Sequence, residues 1–387
     1  MNLDNRFPAL SDLKARAKRR IPHFAWEYLD SGTGDESPHR RNRQALDRVL
    51  FTPKVLRGEV KPDLSVRLMG RDYPLPFGIS PVGMSGLFWP DAERRLARFA
   101  AKTGIPYGLS TVASQDPEAL APHIGDQGWF QLYPPRSPEI RTNTLNRARD
   151  AGFHTLILTV DAPVASRRER QTRGGVTHPP RLTPRVLSHV MMRPAWALGT
   201  LRVGMPRLRL IESYNDLRGS LPSTEHIGHM IRTAPDWQYL KELREEWKGS
   251  LVVKGVLDTE DAVRIRDEGA DAVWVSNHAG RQFAGQPASI SVLPAIRAAV
   301  GPDYPIIFDS GIEGGLDIMR AYALGADFVM LARAWHHGLA AFGDRGVEHV
   351  AHILKADLIA NLGQLGVGRL TDLADSLTTP PDTNPGQ

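Results

Sequence analysis

The stretch Ser276-Asn277-His278-Ala279-Gly280-Arg281-Gln282 places a titratable base and a permanent cation three residues apart. Imidazole titrates near neutral pH, so His278 can take a proton from a substrate under physiological conditions. Guanidinium stays charged and can hold a carboxylate through two parallel hydrogen bonds, which suits Arg281 to gripping an acid. A base beside a carboxylate clamp is what removing hydrogen from a small 2-hydroxy acid requires. A His-x-x-Arg spacing on its own is weak evidence. It gains weight here because Val273-Trp274-Val275 just before it reads as a buried strand, and because seven other strand-like runs also end in polar residues.

The eight runs together are Pro76 to Pro81, Ile105 to Ser110, Gly128 to Tyr133, Thr155 to Val160, Leu251 to Lys254, Ala272 to Ser276, Pro305 to Asp309 and Asp327 to Leu331. Each is short and rich in Ile, Val, Leu or aromatics, and most are separated by helix-length amphipathic spacers. Strands alternating with helices imply right-handed crossovers and a parallel sheet. Eight such units over roughly 250 residues match a closed (β/α)₈ barrel, the TIM barrel. An open doubly wound sheet is the competing architecture. Ahead of the barrel the chain reads as helical, with Ser11 able to cap Asp12 to Arg20, and Pro22 to Leu29 stopped by Ser31-Gly32. About ninety residues separate Val160 from Leu251, far more than a βα connection needs. The expectation is one domain over residues 1–376, with an insertion after strand four at about 165–235 and a disordered tail at 377–387.

In such a barrel the C-terminal strand ends face one shared pocket. Here they carry Gly83 after strand one, Ser110 and Thr111 after strand two, and Gln131 and Tyr133 at strand three. Strand four gives Thr159 and Asp161, strand five Lys254-Gly255, and strand six Ser276, Asn277 and His278. Strand seven ends in Asp309-Ser310-Gly311 and strand eight in Ala332-Arg333. Each has an ordinary reading: Lys254 as a solvated lysine, Asp161 as a turn cap, Gln131 and Tyr133 as packing residues. A full ring of donors, acceptors and charges argues instead for a bound polar ligand. Asp161 is placed to hold a protonated His278, and a cation at Lys254 would stabilise charge on an electron-accepting ring. Loops seven and eight, with Gly311, Gly314 and Arg333, sit where barrels commonly bind phosphate. Met84, Leu87, Phe88 and Trp89 could line an apolar side-chain pocket.

Bulk properties remove several classes. With no cysteine there is no disulfide, thiolate metal site or thiol nucleophile, and no zinc or calcium loop occurs, so no metal is expected. A net charge of +5 and a pI near 9.5 favour anionic partners. The arginines are scattered through loops and match no nucleic-acid motif, so nucleic acid is not expected. Met1 to Arg6 lacks the apolar run of a secretion signal, and no eighteen-residue apolar stretch exists. A cytoplasmic chain is expected. Within the insertion, Val186 to Leu210 mixes Trp, Met, Leu and Val with four arginines, a composition able to dock on an anionic membrane surface. A lid or a subunit-contact helix is the other reading.

Five motifs carry a resemblance: Ser276 to Gln282, Phe130-Gln131-Leu132-Tyr133, Leu158-Thr159-Val160-Asp161, Val253-Lys254-Gly255 and Asp309-Ser310-Gly311, joined by Tyr28-Leu29-Asp30-Ser31-Gly32. From about Leu10 to Ser376 the chain resembles the FMN-dependent L-2-hydroxy acid dehydrogenases and oxidases, which include glycolate oxidase, quinone- or cytochrome-linked L-lactate dehydrogenase and (S)-mandelate dehydrogenase. The resemblance implies FMN as cofactor and His278 as proton acceptor partnered by Asp161. Arg281 and Arg168 would bind the substrate carboxylate, and Tyr28 and Tyr133 its oxygens, with Tyr133 also counted among the catalytic groups. Lys254 would stabilise the reduced ring. Gly83, Ser110, Gln131, Thr159 and Ser276 would meet the ring or ribityl chain, and Asp309, Gly311 and Arg333 the ribityl and phosphate end. It further implies a quinone or cytochrome as electron acceptor, a homo-oligomer (a tetramer), and peripheral attachment to the cytoplasmic face of the inner membrane through the insertion. A soluble oxidase using O₂ and releasing hydrogen peroxide is the alternative. Two departures fall at the phosphate end: Glu313 stands where the family pattern has arginine, and Ala332 where it has glycine. FMN is still expected to bind, its phosphate carried by Arg333 and backbone amides.

Overall fold

The computed structural model describes residues 3–175, 183–214 and 233–378. A short antiparallel hairpin, β1 (Val66–Leu68) and β2 (Arg71–Tyr73), precedes eight strands: β3 (Phe77–Ile79), β4 (Tyr107–Ser110), β5 (Gly128–Leu132), β6 (Thr155–Thr159), β7 (Ser250–Val256), β8 (Ala272–Val275), β9 (Ile306–Phe308) and β10 (Phe328–Leu331). β3 to β10 pair in parallel in chain order, and β10 closes on β3 through Val329↔Phe77. The architecture is a closed eight-stranded (β/α)₈ barrel, so the open sheet is excluded. Each expected run becomes a barrel strand, and β7 runs on past a register shift between Lys254 and Val256.

Side chains alternate along a strand, and that period of two decides where the polar ring lies. Trp129, Ile157, Val252, Trp274 and Ile307 point inward and, with Phe328 and Met330, fill the lower barrel as one apolar plug. The hairpin closes the plug from below, laying Leu68 and Tyr73 against it, with Tyr73 and Phe328 ring centroids 5.4 Å apart. Residues one step along, Phe130, Leu158, Val253, Val275 and Phe308, face outward into the helix-packed core. Two steps along, the inward file reaches Gln131, Thr159, Lys254, Ser276 and Asp309. The apolar floor thus ends one layer below a polar rim, and burial of the floor fixes the rim's position.

Three helices cover one side of the rim: α1 (Leu10–Arg20), α2 (His23–Asp30) and α3 (Ser37–Asp47). The cap of α1 is Ala9, with Asp12 accepting from the Ala9 amide at 3.0 Å, so Ser11 lies inside the first turn and not at its cap. α1 is tied to the helix Arg333–Phe342 by Arg16 Nε donating to Ala341 O and Arg20 Nε to Ala340 O, at 3.0 and 2.9 Å. α2 then carries Tyr28 to the barrel mouth. The long β6–β7 connection holds the helices Glu169–Gly174, Pro184–Met191, Pro194–Val203, Arg209–Glu212 and Trp237–Glu246. Of the tail, Leu377 pairs with Phe51 and the Thr378 amide donates to Leu50 O at 2.9 Å, while residues 379–387 lie outside the described residues.

Candidate active site

A cavity of about 580 Å³ opens at the C-terminal ends of the strands. Its lining includes Tyr28, Gly83, Ser110, Gln131, Tyr133 and Thr159 from one side, and Arg168, Lys254, His278, Arg281, Asp309, Gly311 and Arg333 from the other. Of the residues given a catalytic, substrate or cofactor role, two are absent from the lining. Ser276 is fully buried behind Lys254, where its hydroxyl accepts from Lys254 Nζ at 2.8 Å and from the His278 amide at 3.0 Å. Asp161 stands behind His278.

His278 reaches the cavity because the chain after β8 makes an unusual turn. His278, Ala279 and Gly280 have φ of +55°, +51° and +70°, a left-handed run costing about 1–2 kcal/mol for each of the two L-residues. Surrounding polar groups hold it. Asn277 Oδ1 accepts from the Gly280 amide at 3.2 Å, and Asn277 and Asn42 exchange side-chain hydrogen bonds at 2.7 and 3.0 Å. The Ala279 amide donates to Ser310 Oγ at 3.0 Å. Gly280 is required as well as permitted, since a Cβ there would lie 2.7 Å from Pro38 Cβ.

Asp161 Oδ1 and Oδ2 lie 3.0 and 3.1 Å from His278 Nδ1. A carboxylate on Nδ1 fixes the tautomer with its proton there and leaves Nε2 as the basic nitrogen. Burial lowers the His278 pKa below the usual 6.5; Asp161 opposes this, while Lys254 and Arg168 reinforce it. The imidazole is therefore neutral at pH 7 and able to accept a proton. Burial would raise the Asp161 pKa, but His278 and Lys254 pull it below the ordinary carboxylate value. Gly255, at φ +105°, passes directly under Asp161, and a Cβ there would lie 2.5 Å from Asp161 Cβ.

Lys254 is a buried cation. Its Nζ lies 3.2 Å from Asp309 Oδ2 and donates to Ser276 Oγ. Burial alone would lower its pKa, yet Asp309 and Asp161 raise it, so it stays charged. Beside it, Ser110 Oγ donates to Gln131 Oε1 at 2.8 Å, and Gln131 Nε2 donates to Thr159 Oγ1 at 3.0 Å. That chain fixes the amide and leaves its second N–H for a ligand.

The arginines cluster. Arg281 Nη1 donates to Ser31 O at 2.7 Å, and its guanidinium lies 5.7 Å from the Tyr28 ring centre. Burial, then Arg168 and Arg333, hold its pKa well below the usual value. A cation made unfavourable by burial and two like charges gains strongly when an anion arrives. Arg168 Nε donates to Ser166 Oγ at 3.1 Å and to Arg281 O at 3.3 Å. Arg333 turns toward the link after α2: Nε donates to Leu29 O and Nη2 to Ser31 O and His39 Nε2, each at 3.1 Å. Burial and Arg333 push the His39 pKa down to about 4, so it is a neutral acceptor. Of the apolar candidates, Phe88 lines the cavity, joined by Val82, whereas Met84, Leu87 and Trp89 do not. His39 and Asn42 were not singled out from the sequence, and Ser310, Leu29 and Ser31 stood inside quoted motifs without a role of their own. Only their contacts across the fold reveal them.

A barrel with a neutral histidine backed by a carboxylate, a buried lysine and clustered arginines at its mouth defines a flavin-type oxidoreductase site. The FMN-dependent dehydrogenase family model matches residues 17–380, and the chain belongs to that family. It is 37% identical over 375 residues to an L-lactate dehydrogenase of Pseudomonas paraeruginosa, covering 95% of this chain and 97% of that one. An L-lactate dehydrogenase of Xanthobacter autotrophicus is 36% identical over 370 residues, covering 95% of each. The crystal structure of the monotopic membrane protein (S)-mandelate dehydrogenase superposes with a TM-score of 0.88 at 35% identity, over 96% of this chain and 99% of that one. A mandelate oxidase structure matches at 0.80 and 30% identity, over 96% and 98%.

FMN is therefore the cofactor of this chain. The ring end of the cavity fits it: Lys254 lines the cavity and keeps one N–H beyond those given to Ser276 and Asp309, a donor that an electron-rich ring edge could use.

Proposed function

We propose that this protein oxidises an L-2-hydroxy acid, lactate- or mandelate-like, to the 2-oxo acid. The observation that carries the reading is the neutral imidazole of His278, backed by the Asp161 carboxylate, sharing one cavity with Arg281 and Arg168. The substrate carboxylate docks on Arg281 and Arg168, while Tyr28 and Tyr133 contact its oxygens. His278 Nε2 receives the departing proton, and Asp161 stabilises the imidazolium that results. FMN, when bound, supplies the two-electron acceptor. Lys254 would meet its ring edge, Ser110, Gln131, Thr159 and the Gly83 backbone would hold the ring and upper ribityl chain, and Asp309, Gly311 and Arg333 would take the ribityl and phosphate end. Ser276 supports Lys254 from behind. Phe88, Tyr28 and Val82 give the substrate side chain an apolar wall.

A quinone or cytochrome is proposed as acceptor, reached from a membrane surface. The support lies in the insertion, where Leu187, Met191, Met192, Leu198, Leu201, Val203 and Met205 are all more than 40% exposed. They account for seven of the thirteen large apolar side chains exposed among the described residues. No described helix is long and apolar enough to cross a membrane. The proposed contact is peripheral, on the cytoplasmic face of the inner membrane. A homotetramer completes the proposal, with light scattering as its check. Anaerobic addition of L-lactate or L-mandelate should bleach flavin absorbance near about 450 nm, and the D-acids should not. Unchanged absorbance with every L-2-hydroxy acid tried would overturn the reading. Stoichiometric hydrogen peroxide in air would move it to the oxidase alternative.

A further inference from the structure

Phosphate in a barrel of this kind is ordinarily held by the loops after the last two strands and by a helix N-terminus. In this chain three of those donors, all after β9, are taken by the protein's own carboxylates. After β9, the Glu313 amide donates to Asp317 Oδ2 at 2.9 Å, and the Gly315 and Leu316 amides donate to Asp357 Oδ2 at 2.5 and 3.2 Å. These amides open the helix Gly315–Ala323. The Glu313 side chain is exposed at the edge of the cavity, with no hydrogen bond or ion pair among the described residues. Nearby cations are committed: Lys14 Nζ sits 2.9 Å from Asp30 Oδ1, and Arg333 spends Nε and Nη2 on Leu29 O, Ser31 O and His39. A dianion arriving there meets an unpaired carboxylate beside a loop that has given three amides to Asp317 and Asp357. The ring end, by contrast, offers a buried lysine and the Ser110–Gln131–Thr159 chain.

We propose that this site grips its flavin by the ring and ribityl chain and gains little from the terminal phosphate, so that it accepts riboflavin, a dephosphorylated flavin, as well as FMN. The inference rests on the flavin reading above. Full-length protein stripped of flavin is titrated with FMN and, separately, with riboflavin, following quenching of flavin fluorescence. The two dissociation constants should agree within about tenfold. Glu313→Gln and Glu313→Arg should each tighten FMN, the second by roughly 3- to 30-fold, and leave riboflavin unchanged, because only the phosphate feels that charge. FMN binding some hundredfold or more tighter than riboflavin would overturn the inference and leave the FMN-dependent reading intact. So would a Glu313→Arg protein whose FMN affinity is unchanged or weaker. Failure of both flavins to bind would overturn both readings.

Discussion

At the scale of single residues, the chemistry depends on how charge is divided between His278 and its neighbours. His278 has its pKa lowered below 6.5, so the base form is lost only on acidification through that lowered value. The rate constant kcat/KM is therefore expected to be flat around neutrality and to fall on the acid side, with a midpoint below 6.5. Asp161 raises the His278 pKa, and Lys254 and Arg168 lower it. Asp161→Asn should then do two things together: reduce kcat by roughly 10²- to 10⁴-fold, and move the acid midpoint lower still. A pH–rate profile of that variant checks the assignment, because a merely structural carboxylate would lower the rate without moving the midpoint. His278→Gln should retain bound flavin, seen as yellow colour, and show no bleaching by any 2-hydroxy acid. Bleaching at an undiminished rate would remove His278 from the mechanism.

At the scale of elements, the backbone decides whether those residues meet. Gly255 sits at the register shift of β7 with φ +105°, pressed against Asp161. Gly255→Ala is expected to destabilise the fold by about 2 kcal/mol, read from urea unfolding, through left-handed strain and the clash together. At temperatures where it remains folded, kcat should still fall about a hundredfold, since displacing Asp161 by even part of an ångström disturbs the His278 ring. Such positions mark where the sequence stopped being legible. The eight barrel strands could be read to within a few residues, because buried parallel strands are short unbroken apolar runs and each ends in a polar group. The polar rim was readable for the same reason, as it is the continuation of an inward file. The β1–β2 hairpin was not, because three-residue strands carrying Arg67, Arg71 and Asp72 leave no periodic signal. Nor was the burial of Ser276 behind Lys254, which depends on how neighbouring strands stagger. The turn at His278–Gly280 was hidden because only its glycine advertises a positive φ. Contacts such as Arg333 with Leu29, Ser31 and His39 join positions about 300 residues apart, and nothing local announces them.

At the scale of the whole molecule, the barrel opens its cavity at one face and gathers over half of its exposed large apolar side chains, among the described residues, in one segment. The helix Pro194–Val203 is anchored by one side: Trp196 is buried, with Nε1 donating to Leu87 O at 3.0 Å, and Gly199 closes on Pro90. Its other side shows Leu198 and Leu201 to solvent at 56% and 80% exposure, flanked by Arg193 and Arg202. Anchoring one face to the body while leaving leucines outside makes little sense for a free surface in water, where each buried leucine would contribute up to about 1.5–3 kcal/mol. It suits an interfacial helix that sets its apolar face among acyl chains and its arginines among anionic headgroups. Leu198→Glu combined with Leu201→Glu should weaken cosedimentation with phosphatidylglycerol-containing vesicles by about tenfold or more. Raising salt should weaken binding of the unaltered protein further, since the arginine contribution is screened. Turnover with a water-soluble dye acceptor should be unchanged in the double variant, because neither leucine lines the cavity. Turnover with a membrane-embedded quinone should fall in proportion to the lost binding, so a variant that kept full quinone activity while unbound would show that electrons leave by another surface.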